Sequence, residues 1–111
     1  MRDDRAKLQD IIEAAESVEK YAARGRIAFE EDELIQTWIL HHLQVIGEAV
    51  RSLSPAFRER YPDEIWTRAV GMRNILVHRY FAVDADAIWE AVGGSLSYIK
   101  QKAQAILAGE E

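Results

Sequence analysis

The chain has 111 residues, 49% hydrophobic and 30% charged, with a formal net charge of -5 and no cysteine. These values describe a single soluble domain spanning 1–111 that buries about two-thirds of its unfolded surface in one core, and they exclude a disordered or fibrous chain, a disulfide scaffold and thiol catalysis. The longest apolar runs, such as Trp38-Ile39-Leu40, are far too short to cross a membrane, and the mixed charges of Met1-Arg2-Asp3-Asp4-Arg5 are not those of a signal peptide, so a cytoplasmic location is expected.

Asp3 or Asp4 can cap a first helix, whose apolar positions Leu8, Ile11, Ile12, Ala15, Val18 and Ala22 share one face until Arg24-Gly25 stops it. After a short loop, the acidic run Glu30-Glu31-Asp32-Glu33 suits the positive end of a second helix. That helix carries a wide stripe including Ile35, Trp38, Ile39, His42, Leu43, Ile46 and Val50. Ser54-Pro55 is a cap followed by a first-turn proline, and it opens one short extra helix that Pro62 ends. A third main helix starts near Asp63, with Ile65, Ala69, Met72 and Leu76 facing the core, and fades around His78 to Tyr80. Asp84 caps a fourth, carried by Ile88, Val92, Leu96, Ile99, Ala103 and Ile106, with a kink or close helix approach expected at Gly93-Gly94. No hairpin signal or alternating strand interrupts this series. The architecture is all-α, a four-helix bundle with one additional short helix.

Charge is uneven along the chain. Residues 1–50 carry net -5, residues 51–80 carry six arginines against three acids, and residues 81–111 carry net -3. An acidic protein lacks the broad basic stripe of a general nucleic-acid binder, but an all-arginine island permits a focused anion site. Within that island, Arg73, Asn74, His78, Arg79 and Tyr80 are the densest set of reactive side chains. Histidine can take a proton from a 2′-hydroxyl and return one to a leaving oxygen, while arginine's planar fork can hold a phosphate. These two residue types suffice for metal-independent RNA cleavage by internal transesterification. On an unbroken helix, positions 73 and 78 are about 140° apart, so they converge only if the helix ends before His78 or if two copies of the segment meet across a dimer. A blander arrangement also fits the pattern: a C-terminal capping histidine with arginines paired to acids.

The string Arg73-Asn74-Ile75-Leu76-Val77-His78-Arg79-Tyr80 resembles the R-x-x-x-x-H-x-Y motif of HepT-type toxins in the HEPN superfamily. The likeness extends to Leu43 through Ala49 in the second helix, to Ile88-Trp89, and to Lys7 through Ile12, and so spans nearly the whole chain. The resemblance implies a HEPN-like, homodimeric fold and a metal-independent endoribonuclease, the toxin half of a toxin–antitoxin pair acting on an RNA substrate. It implies that Arg73 and His78 are the catalytic pair at a dimer cleft, with Asn74 orienting the site and Arg79 supporting it. It also implies that Tyr80 accepts AMP from ATP through a minimal (MntA-like) nucleotidyltransferase antitoxin. Bulky phosphates beside Arg73 and His78 would occupy the anion site and repel RNA. An alternative is a non-catalytic helical module that binds, and is modified by, such a partner. A third is a plain bundle whose arginines serve interface salt bridges.

Glu48 can pair with a motif arginine or stand as a solvated surface glutamate. His41 and His42 point about 100° apart on a helix and have no carboxylate spaced to complete a ligand set, so no metal site and no cofactor are expected. Asp84 and Asp86 read as helix-start acids. Trp38, Trp66 and Trp89 occupy core-compatible positions, which argues against base stacking. No glycine-rich phosphate loop is present.

Overall fold

The structure, a computed structural model, describes residues 3–78 and 85–109, and of Val77 and His78 it describes the backbone alone. Regular structure among the described residues is entirely helical: α1 (Asp4–Ala22), α2 (Arg26–Glu31), α3 (Glu33–Arg51), α4 (Pro55–Arg60), α5 (Glu64–His78), α6 (Ala85–Gly93) and α7 (Ser95–Leu107). The four main helices of the bundle are α1, α3, α5 and the α6–α7 pair. None of the described helices is long and apolar enough to cross a membrane.

Side-chain caps decide where most of these helices begin. The Asp3 carboxylate accepts the Ala6 N–H at 2.8 Å and starts α1. The Ser54 hydroxyl accepts the Phe57 N–H at 3.1 Å to start α4, and Asp63 accepts the Ile65 N–H at 2.9 Å to start α5. Ser54 also joins distant parts of the chain. Its N–H and hydroxyl donate to the two carboxylate oxygens of Asp4 at 2.9 and 2.6 Å, fastening the start of α1 to α4. Partial burial pushes the Asp4 carboxyl up, but these two hydrogen bonds and the nearby Lys7 outweigh it and hold the group below the usual range.

The sequence reading of the helices is corrected at one place. The stretch after Gly25 is not a loop running into a helix at Glu30. Gly25 takes φ +96° and opens a separate short helix, α2, which buries Phe29. Asp32, at φ -104° and ψ 108°, then ends α2 and caps α3, accepting the N–H groups of Leu34 and Ile35 at 2.9 and 3.3 Å. Its carboxylate competes with helix continuation and wins, so the acidic run is divided between two helices and the bundle has two short additional helices rather than one. The fourth main helix is split at Gly94, within the pair where a kink or close approach was expected. Among the described residues a Cβ at Gly93 would meet nothing within 4 Å and one at Gly94 would lie 3.7 Å from the Glu90 carbonyl oxygen, an ordinary contact, so the pair marks a break in the helix and not a close approach. The Asp84 cap lies outside the described residues.

The core gathers Leu8, Ile11, Val18, Ile39, Val50, Leu76, Ile88 and their neighbours from every helix. Each such aliphatic side chain contributes about 1.5–3 kcal/mol on burial. Helix α1 packs on α3 and α7, α2 packs on α3, α6 packs on α7, and α5 packs principally on α3. Between α5 and the α6–α7 pair lies an apolar cleft of about 410 Å³ lined by Leu43, Ile46, Ile65, Met72, Leu96 and Ile99 among others. Beside it, the Tyr98 hydroxyl donates to Asp63 at 2.6 Å. Burial pushes Asp63 up, but Tyr98, the Ile65 N–H, Lys102 and Arg68 together hold it below the usual carboxylate range, and the same bond raises Tyr98.

Candidate functional site

The contact between α3 and α5 is organised around Gly47, which is buried. A Cβ at this position would overlap the Arg73 Cβ and lie 2.8 Å from its Cγ and 2.9 Å from the Ala69 carbonyl oxygen. The missing side chain therefore admits the stem of Arg73 against the α3 backbone. From there the guanidinium turns along the helix surface. Its Nε forms an ion pair with Glu48 Oε2 at 3.0 Å, and its Nη1 donates to Asn74 Oδ1 at 3.1 Å. Nη2 has no partner among the described residues. The Arg73 side chain keeps 20% of its surface exposed and Glu48 keeps 57%. An ion pair this open is screened and contributes less than about 1 kcal/mol to stability. Its effect is to fix the direction of a cation that still faces solvent.

Of the two alternatives for Glu48, the structure has it paired with Arg73 while more than half of its side chain stays exposed. Its other oxygen lies 3.8 Å from Arg51 Nη1. Asn74 is exposed beside Arg73. Helix α5 runs without a break through His78, so the option of a helix ending before that residue is set aside, and positions 73 and 78 stand about 140° apart around its axis. Arg79 and Tyr80 lie outside the described residues.

His41 is exposed, and the half-buried His42 donates from Nδ1 to the Trp38 carbonyl at 2.8 Å. Among the described residues no three His, Asp or Glu side chains converge as a metal-ligand set. Asp86 stands in the first turn of α6 and pairs with Arg26. Of the tryptophans, Trp66 is buried, and Trp89 is half-buried and stacks on Phe29 at 5.4 Å. Trp38 departs from the core assignment. It lies on the edge of the α3 stripe with 38% of its surface exposed, because its indole N–H reaches outward to the Ser17 carbonyl of α1 at 2.7 Å. Sequence reasoning placed Gly47 within the Leu43 to Ala49 stretch but gave it no role of its own. The available signal was a glycine inside a strong helical pattern, directly before a glutamate.

Residues 11–106 match the family model described as Ribonuclease HepT-like. The chain belongs to this family. Among its relatives, "Putative RNase MJ1380" of Methanocaldococcus jannaschii is 34% identical over 95% of this chain and 97% of its own. "Probable ribonuclease HepT" of Thermococcus cleftensis is 33% identical over 86% and 87%. "Putative RNase TTE0752" of Caldanaerobacter subterraneus subsp. tengcongensis is 30% identical over the full length of both. No solved structure matches the chain significantly. The HepT-like assignment covers α3 and α5, and so the Gly47, Glu48, Arg73 and Asn74 cluster, within one matched span.

Proposed function

We propose that this HepT-like protein is a metal-independent endoribonuclease, the toxin of a toxin–antitoxin pair. One observation carries the reading: Arg73 is seated over Gly47 and held by Glu48 and Asn74, with 20% of its side chain still exposed. Membership of a ribonuclease family and the printed names of the relatives support RNA as substrate. In the proposed reaction, His78 takes the proton of a ribose 2′-hydroxyl as that oxygen bonds to the adjacent phosphorus. The bond from phosphorus to the 5′-oxygen breaks, and a proton is delivered to the departing oxygen. Arg73 stabilises the negative charge that grows on the phosphoryl oxygens. The products are a 2′,3′-cyclic phosphate and a 5′-hydroxyl.

The continuity of α5 supports a site made by two chains, because the two positions diverge on a single helix. In the homodimer, Arg73 of one chain would be completed by His78 of the other, with Asn74 and the half-exposed Ile75 beside the contact and Arg79 supporting the site. Tyr80 is the proposed acceptor of AMP from a nucleotidyltransferase antitoxin, and the added phosphates would fill the anion site.

Purified protein with RNA and EDTA should yield the cyclic phosphate. His78→Ala should reduce the rate about 10²–10⁴-fold and Arg73→Ala about 10²–10³-fold, with the circular dichroism spectrum retained. Mixing the two inactive variants should restore part of the activity if each dimer site draws on both chains. Cleavage that required added magnesium would overturn the mechanism. Mass spectrometry after incubation with the antitoxin and ATP should place AMP on Tyr80, and expression without the antitoxin should arrest growth.

A further inference from the structure

The face of α3 that bears Glu48 continues, seven residues earlier, into His41. Seven residues return a helix to within about 20° of the same direction, some 10 Å along its axis. There the surface opens into a pocket of about 680 Å³ lined by Tyr21, Arg24, Leu34, Trp38, His41 and His42, with Asp32, Ile35 and Thr37 completing it. Its aromatic groups are already ordered against one another. Tyr21 meets Trp38 edge-on at 5.3 Å, and Trp38 and His42 are 4.5 Å apart. Leu34, 81% exposed, projects beside them. Arg24 and Lys20 lie 5.2 and 5.5 Å from the Tyr21 ring, and neither is paired with a carboxylate among the described residues. The one acid in the lining, Asp32, is engaged with the first N–H groups of α3.

Exposed rings beside unpaired cations are the combination with which proteins hold single-stranded nucleic acid: bases stack on the aromatic surface and phosphates meet the cations. We propose that this pocket is an RNA-binding exosite, in which an unpaired base seats against Trp38 and His41 and a neighbouring phosphate meets Arg24. The inference rests on the ribonuclease reading for the identity of its ligand. Trp38 is about 15 Å along the helix from Glu48, and stacked nucleotides advance about 3.4 Å each. A dinucleotide at Arg73 cannot reach the exosite, whereas an oligonucleotide several units longer spans both places. A protein partner on the same exposed apolar residues is the competing occupant, but Arg24 in the lining and Lys20 near it, neither paired with a carboxylate among the described residues, and the alignment with Glu48 favour RNA.

The test uses the full chain and a 2′-O-methyl oligouridylate of about six nucleotides, within the site sizes known for single-strand binders, which binds without being cut. Tryptophan fluorescence should be quenched on titration, and Trp38→Phe should abolish the quench while an aromatic face remains. Arg24→Ala, at an exposed position between helices, should weaken binding about 3- to 10-fold and lower the salt slope by about 1. With cleavable RNA, KM should fall as the substrate lengthens beyond a dinucleotide, and Arg24→Ala should remove that length dependence. A quench that persists in Trp38→Phe, or an affinity indifferent to Arg24, overturns the exosite, as does an oligonucleotide that does not bind while a protein partner does. The two readings fail separately. RNA cut with no length dependence and no quench removes the exosite and keeps the nuclease, and binding at Trp38 without cleavage of any RNA does the reverse.

Discussion

Replacing Gly47 with alanine is the sharpest perturbation available, because two effects of known size oppose each other there. In favour of the variant, alanine in a helix interior is better than glycine by about 1 kcal/mol. Against it, the new Cβ overlaps Arg73 Cβ and stands 2.8 and 2.9 Å from Arg73 Cγ and the Ala69 carbonyl, where about 3.5–4.0 Å is comfortable. One of those atoms is backbone, so rotating a side chain does not relieve the crowding, and α3 and α5 must part by about 1 Å. Overpacking of this kind costs about 1–3 kcal/mol. The net expectation is a loss of about 0–2 kcal/mol, or up to about 8 °C in melting temperature for a domain of this size. Gly71→Ala is the control: it lies on the exposed side of α5, where a Cβ meets nothing within 4 Å, and it should gain up to about 1 kcal/mol. Thermal and urea denaturation of both variants, with RNA cleavage measured alongside, decide the matter. If Gly47→Ala melts as high as Gly71→Ala, the close approach does not seat Arg73 as described.

Further outcomes follow from individual contacts. Glu48→Gln should leave melting within about 1 kcal/mol of the parent, since the pair is open to solvent, yet lower kcat more than it raises KM because Arg73 loses its orientation. Ser54→Ala should cost about 1–2 kcal/mol, removing both the cap of α4 and the bond to Asp4, and a double-mutant cycle with Asp4→Ala should show coupling between the two. Asp4 and Asp63 are both held below the usual carboxylate range, so their contribution is complete above that range and lost as pH falls beneath it. Denaturant titrations across acid pH should show this, with a shallower slope in Asp63→Ala. The raised Tyr98 acts in the opposite sense: its contribution is complete below the usual phenol range and lost as pH rises through the shifted value, and Tyr98→Phe should remove that alkaline component.

Local chemistry made much of the fold legible. Asp3, Ser54 and Asp63 each announced a helix start, since a short polar side chain before an apolar period offers the backbone N–H groups an acceptor. The same rule explains the miss at Asp32. Four consecutive acids read as one helix start, and nothing in their order indicates that the third would break the chain to cap the helix behind it. The break at Gly94 was legible as the kink expected at Gly93-Gly94, while the apolar period continues across it because both segments face one core. At the site, the residue types and their spacing were visible, but the meeting of Glu48 with Arg73 depends on how closely two helices approach. That is a tertiary quantity which Gly47 sets and which no spacing along one helix encodes. Trp38 was misplaced because a hydrogen bond to α1, not hydrophobicity, decides where its ring lies.

Helix α5 rests mainly on one neighbour, with an apolar cleft on its other flank. Its detachment therefore breaks one principal interface, together with the Phe57–Trp66 and Tyr98–Asp63 contacts at its start, whereas α1 must leave both α3 and α7. Amide protons along α5 should accordingly exchange through a smaller opening than those of α1, and a molecule that occupied the cleft would slow them selectively. The arginine at the centre of the proposed chemistry is thus carried on the part of the bundle that a bound partner can stiffen most.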